Sequence, residues 1–263
     1  MKNLILNLLV LAGVYSVFTL KAQKLPTEQT VTVALPSAFK IDGFANEWDN
    51  KFQARSKNTD VNYTLANNGQ SLYLVVQATD PIIIKKIIGG GITFTINTSG
   101  QRADTAPFSL TFPVVEDKFQ LSIFSTVNEL TIESNQQLKD SLINAANKKI
   151  APLTKTIKAK GFKTITDTLL SIYNDTGIKS AALINTSGAL TCEFLVPINL
   201  LGITPNSGKP IAYNVMLNGT TSIKSVNFGG VIVSTIPRSL SIKPSDTSIS
   251  QYPTDFWGSY LIK

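Results

Sequence analysis

The chain of 263 residues contains no histidine, a single cysteine and only two tryptophans. The absence of histidine excludes the usual catalytic triads, the commonest general base and the commonest zinc ligand. Any catalysis would have to use carboxylates, lysines or tyrosines. The composition is otherwise that of a folded protein, because 43% of the residues are hydrophobic and only 16% are charged.

The only cysteine, Cys192, excludes an internal disulfide. It lies in the apolar stretch "LTCEFLVPI", which is typical of a buried strand. We therefore predict a buried structural thiol rather than a nucleophile.

The first 23 residues, "MKNLILNLLVLAGVYSVFTLKAQ", have the pattern of a signal peptide. Lys2 precedes an apolar run that ends before "KAQ". A membrane anchor is the alternative, but Asn7 and Ser16 interrupt the run. No cysteine follows the run, which disfavours a lipoprotein. We expect cleavage near Gln23 and an exported protein that is periplasmic, at the cell surface or secreted.

Removal of this segment would lower the net charge from +7 to +5, because Lys2 and Lys21 leave with it. Such a mildly basic chain does not indicate a nucleic-acid partner. We also expect no stable membrane span after cleavage.

Short β-rich runs separated by Gly, Asn, Ser and Pro fill the remainder. They include "VTVALPSAF", "VNYTLANNGQSLYLVVQATD", "GGGITFTINTSGQ", "DKFQLSIFST", "KTIKAKGFKTI", "IKSAALINTSGALTCEFLVPI", "KPIAYNVMLNG", "GGVIVSTI" and "FWGSYLIK". This pattern predicts an all-β protein, namely one antiparallel, jelly-roll-like β-sandwich over residues 24–263.

One stretch, residues 134–150, follows a helical period instead. Leu138, Leu142, Ala145, Ala146 and Ile150 recur at helical spacing, and Ser134 or Asn135 could cap the start. We predict one amphipathic helix inserted between strands.

Several motifs follow one another in order: "IDGFANEW", "LANNGQSLYLVVQATDP", "GGGITFTINTSGQ", "LTCEFLVPINLLG", "IAYNVMLNG" and "FWGSYLIK". Their succession resembles family 9 carbohydrate-binding modules and the related DOMON-type β-sandwiches, and it is most similar to the exported versions of Bacteroidetes-type bacteria. The resemblance implies a non-catalytic module that binds a glycan or a cell surface. Residues 101–175 have no counterpart in the compact modules, which implies an insertion there.

The resemblance also gives the two tryptophans an expected place. Asp42 and Gly43 would form a turn after the first strand, and Trp48 would bury its ring at one end of the core. A sugar-stacking platform is the alternative for Trp48. Trp257 lies beside Phe256 and near Tyr260, and alternation along a strand requires at least one of these rings to point inward.

Carbohydrate-binding modules of this family clamp a glycan between two exposed tryptophans. The loop expected to carry the first reads "DPIIIKKIIGGG" here, and the region expected to carry the second reads "SISQYPTDFW". The first aromatic is therefore missing, and Tyr252 is the nearest aromatic for the second. The resemblance leaves Tyr252, Trp257 and Trp48 as candidate ligand-binding residues.

Other chemistries are disfavoured. Asp42, Glu47 and Asp80 could be imagined as a glycosidase carboxylate pair, but such residues more commonly form turns. The turn at residues 97–100 lacks the acidic residues of a calcium site. Haem would need histidine or methionine ligands, and Met216 is the only methionine after residue 23. We predict no enzyme, no metal and no cofactor.

Six lysines lie between residues 148 and 163, at positions 148, 149, 155, 158, 160 and 163. A solvated surface explains them, and attraction to an anionic polymer is the alternative. The expected partner is thus a glycan or an anionic envelope polymer. The alternative function is a structural or protein-interaction module of the bacterial envelope with no sugar site.

Overall fold

The computed structural model describes residues 24–49, 51–102, 108–114, 120–219, 226–228, 231–233 and 251–263. The predicted signal peptide lies outside this range. The strands are β1 Ala54–Ser56, β2 Val61–Asn67, β3 Ser71–Ala78, β4 Ile92–Asn97, β5 Phe108–Phe112, β6 Thr156–Lys160, β7 Leu169–Ser171, β8 Lys179–Ile184, β9 Leu190–Pro197, β10 Ile211–Leu217, β11 Val226–Phe228, β12 Val231–Val233 and β13 Thr254–Tyr260. The α-helices are α1 Pro81–Gly90, α2 Gln120–Ile132 and α3 Gln136–Ile150.

Two antiparallel sheets form the body of the protein. The five-stranded sheet has the order β1-β2-β3-β9-β8, and the six-stranded sheet has the order β13-β10-β4-β5-β6-β7. β11 and β12 pair with each other as a separate hairpin. The predicted all-β antiparallel sandwich is therefore confirmed.

The core lies between the two sheets, where the inward-facing side chains of both sheets are apolar. On β3, Leu72, Leu74 and Val76 point into the core, and on β4, Phe94 and Ile96 do the same. Phe194 of β9 contacts both Phe94 and Phe112 across the interior. Burial of these rings supplies the main stabilisation, since the chain has no disulfide.

The predicted hairpin turns are present. Gly69 follows β2 with a φ of +78°, a value that favours glycine, and the side chain of Asn68 accepts hydrogen bonds from the backbone of Gln70 and Ser71. Between β8 and β9, the side chain of Asn185 organises the turn by accepting a bond from the backbone of Ser187.

The prediction of a single helix was wrong, because the described residues contain three. The stretch "DKFQLSIFST" was expected to be a strand, but most of it belongs to α2. The loop "DPIIIKKIIGGG" is α1, capped by Asp80, whose carboxylate accepts a bond from Ile82 N at 2.7 Å. Its isoleucines at 83, 84, 87 and 88 are buried, a helical spacing that the sequence already contained.

Helix α3 confirms the helix predicted at 134–150. Asn135 caps it by accepting bonds from Gln137 N and Leu138 N. The buried face differs from the predicted one: Ile143 is buried, whereas Leu138 is 54% exposed. The reason is that α3 packs mainly against α2 and β8, so a narrower stripe of the helix than expected is covered.

The region 101–175 supplies β5, β6 and β7, which extend the six-stranded sheet beyond β4. The stretch "VTVALPSAF", expected to be a strand, makes only one bridge, between Ala34 and Asn67. It belongs instead to an N-terminal cover, residues 25–49 and 51–52, whose apolar side chains pack on the outer face of the five-stranded sheet.

Candidate functional site

The turn at Asp42 and Gly43 is fixed on the outer face of the five-stranded sheet by a carboxylate. Oε2 of Glu193 accepts hydrogen bonds from Asp42 N at 2.8 Å and from Gly43 N at 2.5 Å, and Oε1 accepts one from the hydroxyl of Tyr73 at 2.6 Å. Gly43 has a φ of +88°, and a Cβ there would lie 2.7 Å from the Cβ of Leu183. The motif therefore serves as an anchor for the N-terminal cover.

Glu193 is completely buried. Burial raises its pKa to about 7, while the hydrogen bonds from Tyr73, Gly43 and Asp42 act in the opposite direction. The adjacent Cys192 points into the core, and burial raises the pKa of its thiol far above the usual range. The prediction of a buried thiol is confirmed.

Trp48 belongs to the N-terminal cover and not to the sandwich core. Its ring stacks on Tyr73 with 5.7 Å between the ring centroids and 16° between the ring planes. It is half-buried and packs with the apolar cluster formed by Ala45, Phe52 and Val75. The expected burial at one end of the core is corrected: the ring lies outside the five-stranded sheet.

Trp257 lies on the outer face of the other sheet. Its strand neighbours Phe256 and Tyr260 are buried, as the alternation along β13 predicted, and Trp257 itself is half-buried. The register places it next to a row of polar residues that crosses the six-stranded sheet. That row runs from Trp257 through Asn214, Thr95 and Ser109 to Lys160.

A pocket of about 390 Å³ opens beside Trp257 at the edge of this sheet. It is lined by Thr27, Glu28, Ser56, Lys57, Asn58, Arg102, Phe256 and Trp257. Glu28 organises it, since its Oε1 accepts bonds from Arg102 Nη2 at 2.6 Å and from Ser259 N at 3.1 Å. We call this the Trp257 pocket.

The polar row beside the pocket is itself ordered by hydrogen bonds. Asn214 Nδ2 donates to Asp255 Oδ2 at 2.6 Å and to the carbonyl of Phe256 at 3.1 Å. Trp257 thus stands among groups that donate and accept hydrogen bonds, which is the chemistry that a polyhydroxylated ligand requires.

The three predicted ligand-binding residues do not share a site. Trp48 and Trp257 occupy outer faces of different sheets, so they cannot clamp one ligand. Tyr252 is 58% exposed and lies ahead of β13, beside Gly219, and it does not line the Trp257 pocket. Of the three, Trp257 is the residue that borders a pocket with hydrogen-bonded polar side chains.

The three carboxylates considered for catalysis each accept hydrogen bonds from backbone N–H groups. Asp42 Oδ1 accepts a bond from Phe44 N, Glu47 Oε1 accepts one from Lys40 N, and Asp80 caps α1. Within the described part of the chain, no group of three or more acidic or cysteine side chains could hold a metal ion.

The lysines of residues 148–163 do not form one surface. Lys149 donates a hydrogen bond to Thr126 of α2, Lys155 lies over the ring of Tyr173, and Lys158 and Lys160 lie along the six-stranded sheet. Among the helices that the structure describes, none is long and apolar enough to span a membrane.

Sequence reasoning missed Glu193, although a signal was present. A single acid in the apolar strand "LTCEFLVPI" must be buried with hydrogen-bond donors, because an unpaired buried charge is very costly. The backbone N–H groups of the "IDG" turn are such donors.

No family model matches the chain, and no curated protein matches it. Among solved structures, the chain is similar to a family 9 carbohydrate-binding module from Caldicellulosiruptor kristjanssonii, determined in complex with glucose. The identity is 11% and the TM-score is 0.34, over 73% of this chain and 79% of that chain. At this level the likeness carries no argument about the site or the ligand.

Proposed function

We propose that the protein is an exported, non-catalytic β-sandwich that binds glycans at the Trp257 pocket. The observation that carries the proposal is the combination of a half-exposed indole with ordered polar side chains around one concavity. Sugars have an apolar face that stacks on an aromatic ring and an equatorial rim of hydroxyls that need hydrogen-bond partners. Arg102, Glu28 and Asn58 supply both donors and acceptors.

The pocket predicts weak binding. The indole offers one stacking wall, and no second aromatic ring among the lining residues faces the solvent side of the pocket. A ligand stacked on one side stays partly hydrated and less well oriented. We therefore expect a Kd on the order of millimolar, about −4 kcal/mol.

The two tryptophans allow a direct test by NMR, because the chain has only two indole N–H groups. Soluble neutral oligosaccharides are titrated into the mature protein, and Trp257→Ala assigns the signals. The indole signal of Trp257 is expected to shift with saturation, while that of Trp48 stays in place. Trp257→Ala is expected to abolish binding, and Tyr252→Ala, an exposed aromatic outside the pocket, serves as the matched control.

Binding that persists in Trp257→Ala would place the sugar site elsewhere. No binding across a broad glycan panel would favour the second candidate function, an envelope module that binds protein.

The proposed export is tested separately. N-terminal sequencing of the protein from its native host is expected to show a chain beginning near Gln23 or Lys24. Recovery of intact Met1 in a membrane fraction would contradict it.

A further inference from the structure

A second concavity lies on the side of the sandwich away from β13, where edge strand β8 of one sheet meets edge strand β7 of the other. It encloses about 230 Å³ and is lined by Ile41, Thr154, Ile172, Tyr173, Lys179, Ser180, Ala181 and Ala182. We call it the β7–β8 cleft. Its volume is roughly that of seven or eight liquid waters, enough for a carboxylate and part of a sugar ring.

The hydroxyl of Ser180 has no partner in this cleft. The residue is only 5% exposed, yet its Oγ makes no hydrogen bond. A buried hydroxyl without a partner is destabilising, so such groups usually have a water or a ligand as partner. Ser180 lines the cleft, but its Oγ is covered, so a bound molecule supplies the missing bond only when the serine side chain rotates toward it.

The side chain of Tyr173 is 76% exposed, and among the large hydrophobic residues that the structure describes only Ile132 is more exposed. The loop that carries it is held firmly. Asn174 Nδ2 donates to the carbonyls of Ser171 and Ile178 at 2.7 and 2.9 Å, and its Oδ1 accepts a bond from Thr176 N at 3.0 Å. A ring displayed on an ordered loop loses little conformational entropy when a ligand stacks on it.

One ammonium group lies beside this ring, and a second lysine lines the cleft. Lys155 Nζ is 5.6 Å from the centroid of Tyr173 and 3.4 Å from its hydroxyl, and Lys179 lines the cleft. Asp175, on the same loop, is the acidic residue nearest in sequence to Tyr173. Two lysines and one aspartate leave the formal charge of this group positive. An anionic group is therefore favoured over a neutral one.

We propose that the β7–β8 cleft binds an acidic saccharide, with the sugar ring on Tyr173, its carboxylate beside Lys155 and Lys179, and a hydroxyl at Ser180. This site is separate from the Trp257 pocket and does not depend on the function proposed for it. Each of the three chemical features meets one part of a uronic acid: an apolar ring face, a carboxylate and hydroxyls.

The probes are glucuronate and galacturonate, their short oligomers, and glucose as the matched neutral sugar. Titration into the mature protein at low salt, followed by NMR, is expected to show saturable binding of the uronates with shifts at Tyr173, Lys179 and Ser180. Glucose is expected to bind the cleft at least about tenfold more weakly, and added salt should weaken uronate binding.

Three variants decide the assignment. Tyr173→Ala is expected to weaken uronate binding by about tenfold or more. Ser180→Ala is expected to weaken it by a smaller factor while leaving the melting temperature equal or higher, because an unpaired buried hydroxyl is removed. Trp257→Ala should leave uronate binding unchanged, which separates this site from the Trp257 pocket.

The proposal is overturned if no uronate binds saturably, or if Tyr173→Ala and Ser180→Ala bind as the unaltered protein does. Equal affinity for glucose and the uronates in the cleft would overturn the acidic class of ligand. Loss of uronate binding in Trp257→Ala alone would assign it to the other pocket.

Discussion

The outer faces of the two sheets carry one tryptophan each, and the residues around each ring differ. On the five-stranded sheet, the N-terminal cover packs Trp48 against Tyr73 and an apolar cluster. On the six-stranded sheet, Trp257 borders a pocket lined by Arg102, Glu28 and Asn58. An indole is a structural element where apolar neighbours cover it, and a candidate binding element where polar groups leave it accessible.

The buried carboxylate of Glu193 is one of the anchors behind this difference. The "IDG" turn of the cover donates two backbone hydrogen bonds to that carboxylate. For the six-stranded sheet, the described residues show a row of Asn, Thr and Ser in place of an apolar outer face. Substitution of Glu193 therefore tests whether the cover accounts for the difference between the two faces.

The largest effect is expected for Glu193→Ala. It leaves the hydroxyl of Tyr73 and the N–H groups of Asp42 and Gly43 without an acceptor in a buried site. Each donor left without an acceptor costs about 1–3 kcal/mol, so the three together are expected to lower the free energy of unfolding by about 3 kcal/mol or more. Denaturant unfolding measures it, and Glu193→Gln, which keeps one acceptor oxygen, should lose less. A loss under about 1 kcal/mol in Glu193→Ala would show that the cover does not depend on this anchor.

The next effect is a pH dependence of the same group. The pKa of Glu193 is raised from 4.5 to about 7, so between these values the folded protein holds a proton that the unfolded chain releases. Stability therefore falls as pH rises from about 4.5 to about 7, and this contribution is constant outside that window. The full change is about 3 kcal/mol at most.

Chemical denaturation of the unaltered protein and of Glu193→Gln at several pH values measures this change. The free energy of unfolding of the unaltered protein minus that of Glu193→Gln should fall as pH rises across the window, because the variant has no group at position 193 that titrates there. Lys86, whose pKa burial lowers to about 8, titrates above it. Parallel curves would mean that the Glu193 carboxyl titrates alike in the folded and unfolded chains.

Periodicity made much of the sandwich predictable. The strands β2, β3, β4, β9 and β10 follow from alternating or continuous apolar runs bounded by turn residues. The stretch "DKFQLSIFST" was misassigned because short apolar runs fit both strand and helix, and "DPIIIKKIIGGG" was interpreted as a loop because the family resemblance places a loop there. Asp80 and Pro81 marked the helix start in the second case.

The sites were harder to predict, because they depend on which strands become edges. Tyr173 and Ser180 are separated by a loop, and no sequence spacing reveals that a cleft forms between β7 and β8. Likewise, Arg102 and Glu28 meet beside Trp257 only after the N-terminal segment passes along β13. The two tryptophans were recognisable in the sequence, but their separation onto different sheets was not.

The smallest effects on the free energy of unfolding are expected from substitution of the two tryptophans. Trp48→Ala removes a stacked, half-buried ring and should cost about 2 kcal/mol, less than the 3–5 kcal/mol of a fully buried aromatic. Trp257→Ala should cost less than about 1 kcal/mol, because its neighbours are polar and one side of the ring borders the pocket. Denaturant unfolding of both variants under one condition gives the two values. If Trp257→Ala proves the more destabilising, its ring is a packing element, and the glycan-binding proposal loses its main support.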